Sequence, residues 1–233
     1  MDISLLKKMN RRVRMLSLYP LSGEFRKVMD IARAKPYTMV NYPRLAKAYE
    51  LIYETDRHNN LEGAIVEPGC WNGGFARIMQ LASIRAGKSR EVWLFDSFEG
   101  GPPPLDIDRK VTGKLGKGEP NGGSQEICEQ AFHGSDPSKL HIVKGWFEET
   151  FPQTLPKMGK IAYLHLDADF YEATKLCLEQ MYDLVVPGGL IIFDDYSYYL
   201  GCKKAVDEFL EARGVLGGLV QTVEHSAYFR KTA

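Results

Sequence analysis

Residues 163–197, YLHLDADFYEATKLCLEQMYDLVVPGGLIIFDDYS, constrain the fold more than any other stretch of this 233-residue chain. Two apolar runs, YLHL and GGLIIF, have the length of buried strands. Between them, Phe170–Leu184 carries Tyr171, Thr174, Leu178 and Met181 at helical spacing along one face. Strand, helix and strand in this order form a parallel pair with a right-handed crossover. Each run ends in acid: Asp167 and Asp169 after the first, Asp194 and Asp195 after the second. A parallel pair delivers all of them to the carboxyl edge of one sheet, where open α/β proteins bind ligands.

A lone aspartate after a strand caps a helix or starts a turn as often as it serves a site. A cluster is different, because two carboxylates about 4 Å apart repel by roughly 4 kcal/mol at an effective dielectric near 20. Such a group holds a proton at raised pKa or binds a cation. Oxygen-only donors suit magnesium or calcium rather than zinc.

From Leu61 onward the pattern alternates between strands and helices. AIVE (64–67), VWLF (92–95), HIV (141–143), IAYLHL (161–166) and LIIF (190–193) read as strands, and Phe75–Ala86 and Gly201–Glu211 as helices. That alternation predicts an α/β fold with a mainly parallel sheet covered on both faces. The tail GGLVQTVEHSAYFRK holds two short runs with no helix between them, an antiparallel hairpin at the sheet's edge. Residues 1–60 read as helices broken at Tyr19-Pro20, Lys35-Pro36 and Tyr42-Pro43. They form a helical extension whose apolar positions suit a dimer contact or a cover over the active site. Residues 100–123, dense in Gly, Pro and Lys, follow the second strand without periodicity; they are a mobile lid or a disordered segment.

Composition excludes several classes. Formal net charge is zero, so the chain has no nucleic-acid footprint. The basic Lys7–Arg14 stretch reads as a solvated helix face and interrupts any signal-peptide core. No apolar run reaches the roughly 20 residues of a membrane span. Cys70, Cys128, Cys177 and Cys202 make no C-x-x-C pair, which fits a reducing, cytoplasmic setting, with Cys177 a buried thiol.

IVEPGCWNGGFARIM (65–79) is a strand, a glycine turn and a helix. A dinucleotide fold wants G-x-G-x-x-G here; the spacing is G-x-x-x-G-G at Gly69, Gly73 and Gly74, with Glu67 just before it. An acid at the strand end repels pyrophosphate but accepts from an ammonium or a hydroxyl. S-adenosylmethionine meets that description. Asp96, ending the second strand, is placed for ribose hydroxyls, and Trp146 offers aromatic surface for an adenine or packs in the core.

FDSFEG (95–100), HLDADFYEAT (165–174), PGGLIIFDDY (187–196) and GCKKAVDEF (201–209) together resemble the macrocin O-methyltransferase family, over about Tyr37–Phe209. The resemblance implies a class I methyltransferase fold, S-adenosylmethionine and magnesium as cofactors, and a sugar hydroxyl of a glycosylated natural product as acceptor. It implies that Glu67, Gly69, Asp96 and Ser97 hold the cofactor, with Met39 (in TMV, 38–40) and Trp146 as further contacts. It makes Asp167, Asp194 and Asp195 the magnesium ligands, with Asp167 as the best candidate for general base and Asp169 as its competitor. His141 and His165 compete for that role less well, because each falls inside a strand. Other readings are a catechol-type methyltransferase, a nicotinamide-dependent oxidoreductase, or a silent binding protein. The glycine spacing argues against the oxidoreductase, and the retained acidic cluster against the silent protein.

Overall fold

A computed structural model describes residues 23–114 and 122–232. The basic Lys7–Arg14 stretch, the Tyr19-Pro20 break and residues 115–121 of the proposed lid lie outside the described residues.

The strands are β1 (Ala64–Pro68), β2 (Val92–Asp96), β3 (Leu140–Lys144), β4 (Ile161–Leu166), β5 (Val185–Phe193), β6 (Leu219–Gln221) and β7 (Ala227–Arg230). They form one seven-stranded sheet of order β3-β2-β1-β4-β5-β7-β6. β1 to β5 run parallel, and β7 pairs antiparallel with both β5 and β6. The expected hairpin is therefore the last two strands at one edge. The helices among the described residues are α1 (Gly23–Ala34), α2 (Tyr42–His58), α3 (Gly74–Arg85), α4 (Gln125–Ala131), α5 (Phe147–Met158), α6 (Tyr171–Met181) and α7 (Leu200–Ala212).

The central strands are apolar throughout because both faces are covered. Alternate residues serve opposite cores: Ile65, Leu94, Tyr163, Leu190 and Ile192 face α1 to α4. Val66, Phe95, Leu164, Ile191 and Phe193 face α5 to α7. Pro68 aligns with Phe95, and Leu166 with Phe193. The residues that follow these strand ends therefore share one edge.

Some boundaries differ from the sequence reading. β5 begins at Val185, not at Leu190, with a register shift against β4 that accommodates the Pro187-Gly188-Gly189 segment. Pro43 does not break a helix; it sits in the first turn of α2, where its missing N–H is harmless. α6 stops at Met181 and tightens into a 3-10 turn over Tyr182–Leu184. The expected Phe75–Ala86 and Gly201–Glu211 helices are present as α3 and α7, each within one residue at both ends.

α1 and α2 are also not an appendage. Ile31, Ala34, Leu45, Ala48 and Ile52 are buried in the same core as α3 and the sheet, so these apolar positions serve the chain's own interior. Arg90 binds Asp56 of α2 through both carboxylate oxygens, while Ser83 and Tyr163 also donate to Asp56. This buried pair fastens α2 to the strand region.

The first part of the 100–123 stretch is fixed. Asp106–Asp108 makes a 3-10 turn, and Lys110 bridges to Tyr199. Asp108 is buried and accepts from the Leu105 and Tyr171 amides, capping the start of α6. All of the cysteines are free and buried.

Candidate active site

Asp167 follows β4, and Asp194 and Asp195 follow β5. One carboxylate oxygen from each lies within 4.8 Å of the others. Burial, then the charges of Asp194, Asp195 and Asp169, pushes the Asp167 carboxyl well above the usual range. Asp169 is pushed up in the same way by burial and by Asp195. Asp195 is raised by burial and by Asp194, against hydrogen bonds and Arg44 that pull it down. Glu67, His165 and Asp167 form a second group this close, with an imidazole among its ligands; the aspartate trio is the all-oxygen one and does not include Asp169. Asp169 stands beside it with its backbone in the left-handed region at φ 55°, a conformation that non-glycine residues adopt at a cost of about 1–3 kcal/mol.

Asp194 is held from two sides. The Arg44 guanidinium of α2 donates to its Oδ2 at 2.7 Å and to its backbone carbonyl at 3.3 Å. Arg44 also reaches within 4.0 Å of Asp195 and 3.7 Å of Glu224, the residue at the β6–β7 turn with φ 61°. Asn41, the N-cap of α2, donates to Glu224 as well. The opposite oxygen of Asp194, Oδ1, is buried with no hydrogen-bond partner and stands 3.5 Å from Nε2 of His165.

His165 is wholly buried in β4 and stacks on Phe75 at 3.6 Å between ring centroids, the planes 2° apart. Its Nδ1 donates to Glu67 at 2.7 Å. Burial alone would lower its pKa, but Asp194 and Glu67 outweigh burial and raise it to about 9. It is therefore a charged link between acids, not a free base.

Glu67, at the end of β1, is 1 % exposed. Its second oxygen accepts from the Ala76 amide in the first turn of α3. Burial raises its pKa, while the bonds to His165 and Ala76 oppose that rise. It supports the glycine turn from beneath. Gly69 has φ 81°, and a Cβ there would lie 1.9 Å from the carbonyl oxygen of Asp167. That contact makes glycine obligatory and brings the turn directly against the backbone of the acidic trio.

Asp96 accepts from the Trp71 and Phe98 amides, both at 2.7 Å, and both residues have positive φ. Burial raises its carboxyl above the usual range despite those bonds. Ser97 is buried, donating to Gly100 and accepting from the Glu99 amide, so it shapes the turn after β2. Gly145 donates to the Asp96 carbonyl, which brings the half-exposed Trp146 next to the end of β2. Met39 is exposed and lies two residues beyond Tyr37, whose backbone abuts Gly74. His141 lies apart from this group, stacked on Trp93.

Sequence reasoning missed Arg44. Nothing in PRLAKAY marks it, because the acids it serves are about 150 positions away. It also missed the link from Glu67 through His165 to Asp194, although alternation along β1 and β4 could have put Glu67 and His165 on one face. A cavity of about 540 Å³ lies elsewhere; Leu61, Lys88, Arg90 and Lys160 line it at the opposite edge of the sheet.

The donor set fits a hard divalent cation: oxygen ligands only, with one carboxylate atom buried and unpartnered. The glycine turn fits a cofactor that approaches the backbone closely, with Asp96 beside it and the indole N–H of Trp71 buried and unpartnered.

The chain matches the macrocin O-methyltransferase (TylF) family model over residues 5–231. Demethyldecarbamoylnovobiocin O-methyltransferase of Streptomyces niveus is 32% identical over 206 residues, covering 85% of this chain and 77% of its own. Mycinamicin III 3''-O-methyltransferase of Micromonospora griseorubida is 30% identical over 208 residues, 84% and 79% of the two chains. Among solved structures, the O-methyltransferase NovP aligns over 100% of both chains with TM-score 0.71 and 29% identity. A calicheamicin methyltransferase, 20% identical, shares the fold at TM-score 0.63 over 97% of this chain and 88% of its own. The glycine turn and the carboxylate edge thus sit on a class I methyltransferase fold, and the chain belongs to the macrocin O-methyltransferase family, an O-methyltransferase by that membership.

Proposed function

We propose that this protein transfers the methyl group of S-adenosylmethionine to a hydroxyl of a sugar on a glycosylated small molecule, with a divalent cation, magnesium, held by Asp167, Asp194 and Asp195. The observation that carries the reading is the contact between its two halves. The glycine turn presses on the backbone of Asp167, whose carboxylate belongs to the acidic trio. A donor in the turn and an acceptor at the trio would therefore meet.

Gly69, Asp96 and the neighbouring turn would receive the cofactor, with Glu67 and Ser97 holding that turn in shape and Met39 and Trp146 at its rim. A bound cation supplies positive charge that favours the deprotonated form of an acceptor hydroxyl and fixes its orientation. The acceptor oxygen loses its proton to a carboxylate and attacks the methyl carbon of the sulfonium in line. The carbon–sulfur bond breaks, sulfur keeps the electron pair, and the products are a methyl ether and S-adenosylhomocysteine. The protein's contribution is mainly to hold these groups in register.

Of the two candidates for proton acceptor, Asp169 is favoured over Asp167. A carboxylate that ligates a cation loses basicity, and Asp167 is one of the trio while Asp169 stands beside it. The strained backbone of Asp169 supports the same reading.

The sugar acceptor rests on the relatives, one named for 4'-O-methylation of a rhamnosyl tetracenomycin and another for 3''-O-methylation of mycinamicin III. A catechol-type acceptor is the competing reading. No helix among the described residues is long and apolar enough to cross a membrane. Chelator titration tests the cation: turnover should vanish in excess EDTA and return with magnesium, and full activity in chelator would remove the cation from the account.

A further inference from the structure

Glu67, His165 and Asp194 form a continuous buried chain from the glycine turn to the acidic trio, 1 %, 0 % and 3 % exposed in turn. Every link but one is closed. Ala76 at the start of α3 donates to one oxygen of Glu67, and His165 Nδ1 donates to the other. Arg44 occupies Oδ2 of Asp194. The loosest link is the ion pair between His165 Nε2 and Asp194 Oδ1, 3.5 Å apart, and neither atom has a hydrogen-bond partner.

A long ion pair between two buried groups recovers less than a closed hydrogen bond while both groups stay desolvated. The imidazole has little freedom to resolve this itself. Its ring lies flat against Phe75, and its other nitrogen is committed to Glu67. The member with an oxygen to spare is the Asp194 carboxylate, since Arg44 holds only Oδ2. A cation drawing on the trio would reorient that carboxylate, and the change would reach Glu67 and the first turn of α3 through one rigid ring.

We infer that His165 is a positioning residue that couples the two halves of the site, so that cation binding at the trio and cofactor binding at the glycine turn each strengthen the other. The inference rests on the reading of the trio as a cation site. Ordering of Asp194 by one ligand spares the other ligand the entropy of ordering the shared chain. Coupling of this kind is reciprocal by thermodynamic necessity.

Calorimetric titration tests this without turnover. S-adenosylhomocysteine is the probe, because it lacks the sulfonium charge that would repel a cation directly. In the wild-type chain, saturating magnesium should tighten S-adenosylhomocysteine by about five-fold or more, and S-adenosylhomocysteine should tighten magnesium by the same factor. In His165→Gln, whose single amide can serve only one of the two carboxylates, the factor should fall below about two, while each ligand still binds alone. Phe75→Leu, which removes the ring stack but leaves both nitrogens, should retain most of the coupling. A merely structural histidine would lower the melting temperature of His165→Gln and leave the coupling factor unchanged. Wild-type protein that binds both ligands with no mutual effect overturns the inference alone. Wild-type protein that binds no magnesium overturns the cation reading and the coupling with it.

Discussion

Asp167 and Asp169 stand two positions apart in the sequence, yet their surroundings differ. Asp167 carries the carboxylate that reaches the trio and the carbonyl that meets Gly69. Asp169 projects from a left-handed backbone next to Asp195. If Asp169 takes the proton, Asp169→Asn should lower kcat by about 100-fold or more, the usual range for losing a general base. Magnesium and S-adenosylhomocysteine affinity should stay near wild type in the same variant. A variant with near-normal kcat returns the base role to Asp167 or to solvent. The four aspartates were legible in the sequence because each follows an apolar run at a strand's end. Strand alternation alone did not group them, since it does not survive past the last paired residue; the trio of Asp167, Asp194 and Asp195 came from the family resemblance. Ser97 was legible as part of FDSFEG, but not its occupation by Gly100 and Glu99.

At the level of elements, α2 does two jobs: it closes one core layer and it supplies Arg44 to Asp194. Its attachment is the Asp56–Arg90 pair, with Arg90 also donating to the Gly63 and Leu61 carbonyls. Asp56→Ala leaves a buried guanidinium without its counter-charge, which destabilises proteins by about 3–5 kcal/mol. Urea unfolding should show that loss, and a change under about 1 kcal/mol would mean that α2 is not held by this pair. The strand–helix alternation made β1 to β5 and the C-terminal hairpin readable, because period and length differ sharply between the two element types. The part played by α1 and α2 was not readable. An amphipathic helix looks the same from its sequence whether its apolar face meets its own sheet or another chain. The 105–111 segment was hidden for a related reason: its hold on the fold is the buried carboxylate of Asp108 and a few backbone bonds to 198–200, not a periodic pattern.

For the molecule as a whole, the acidic edge sets how stability responds to pH. Asp167, Asp169 and Asp195 are raised above the ordinary carboxylate range in the folded chain. His165 is raised to about 9, against roughly 6.5 for an unperturbed imidazole. In all of these the folded state binds protons more tightly than the unfolded one, so stability falls as pH rises through the folded values. The histidine's contribution is fully present below about pH 6.5 and is lost toward pH 9. The carboxylates add to the same trend from about pH 4 upward. Metal-free protein should therefore melt higher at pH 6 than at pH 9. Magnesium should narrow that gap by stabilising the deprotonated cluster it binds, and a melting temperature that rises with pH in chelator would contradict the reading.

A single mass-spectrometric assay tests together the methyl donor, the cation site and the sugar hydroxyl proposed for this reaction. Purified protein with S-adenosylmethionine and magnesium is offered a panel of natural-product glycosides with vicinal sugar diols, alongside catechol acceptors. A glycoside should gain one methyl on its sugar, only when magnesium is present, with one S-adenosylhomocysteine formed per product. Methylation confined to the catechols, or sugar methylation unaffected by EDTA, would contradict it.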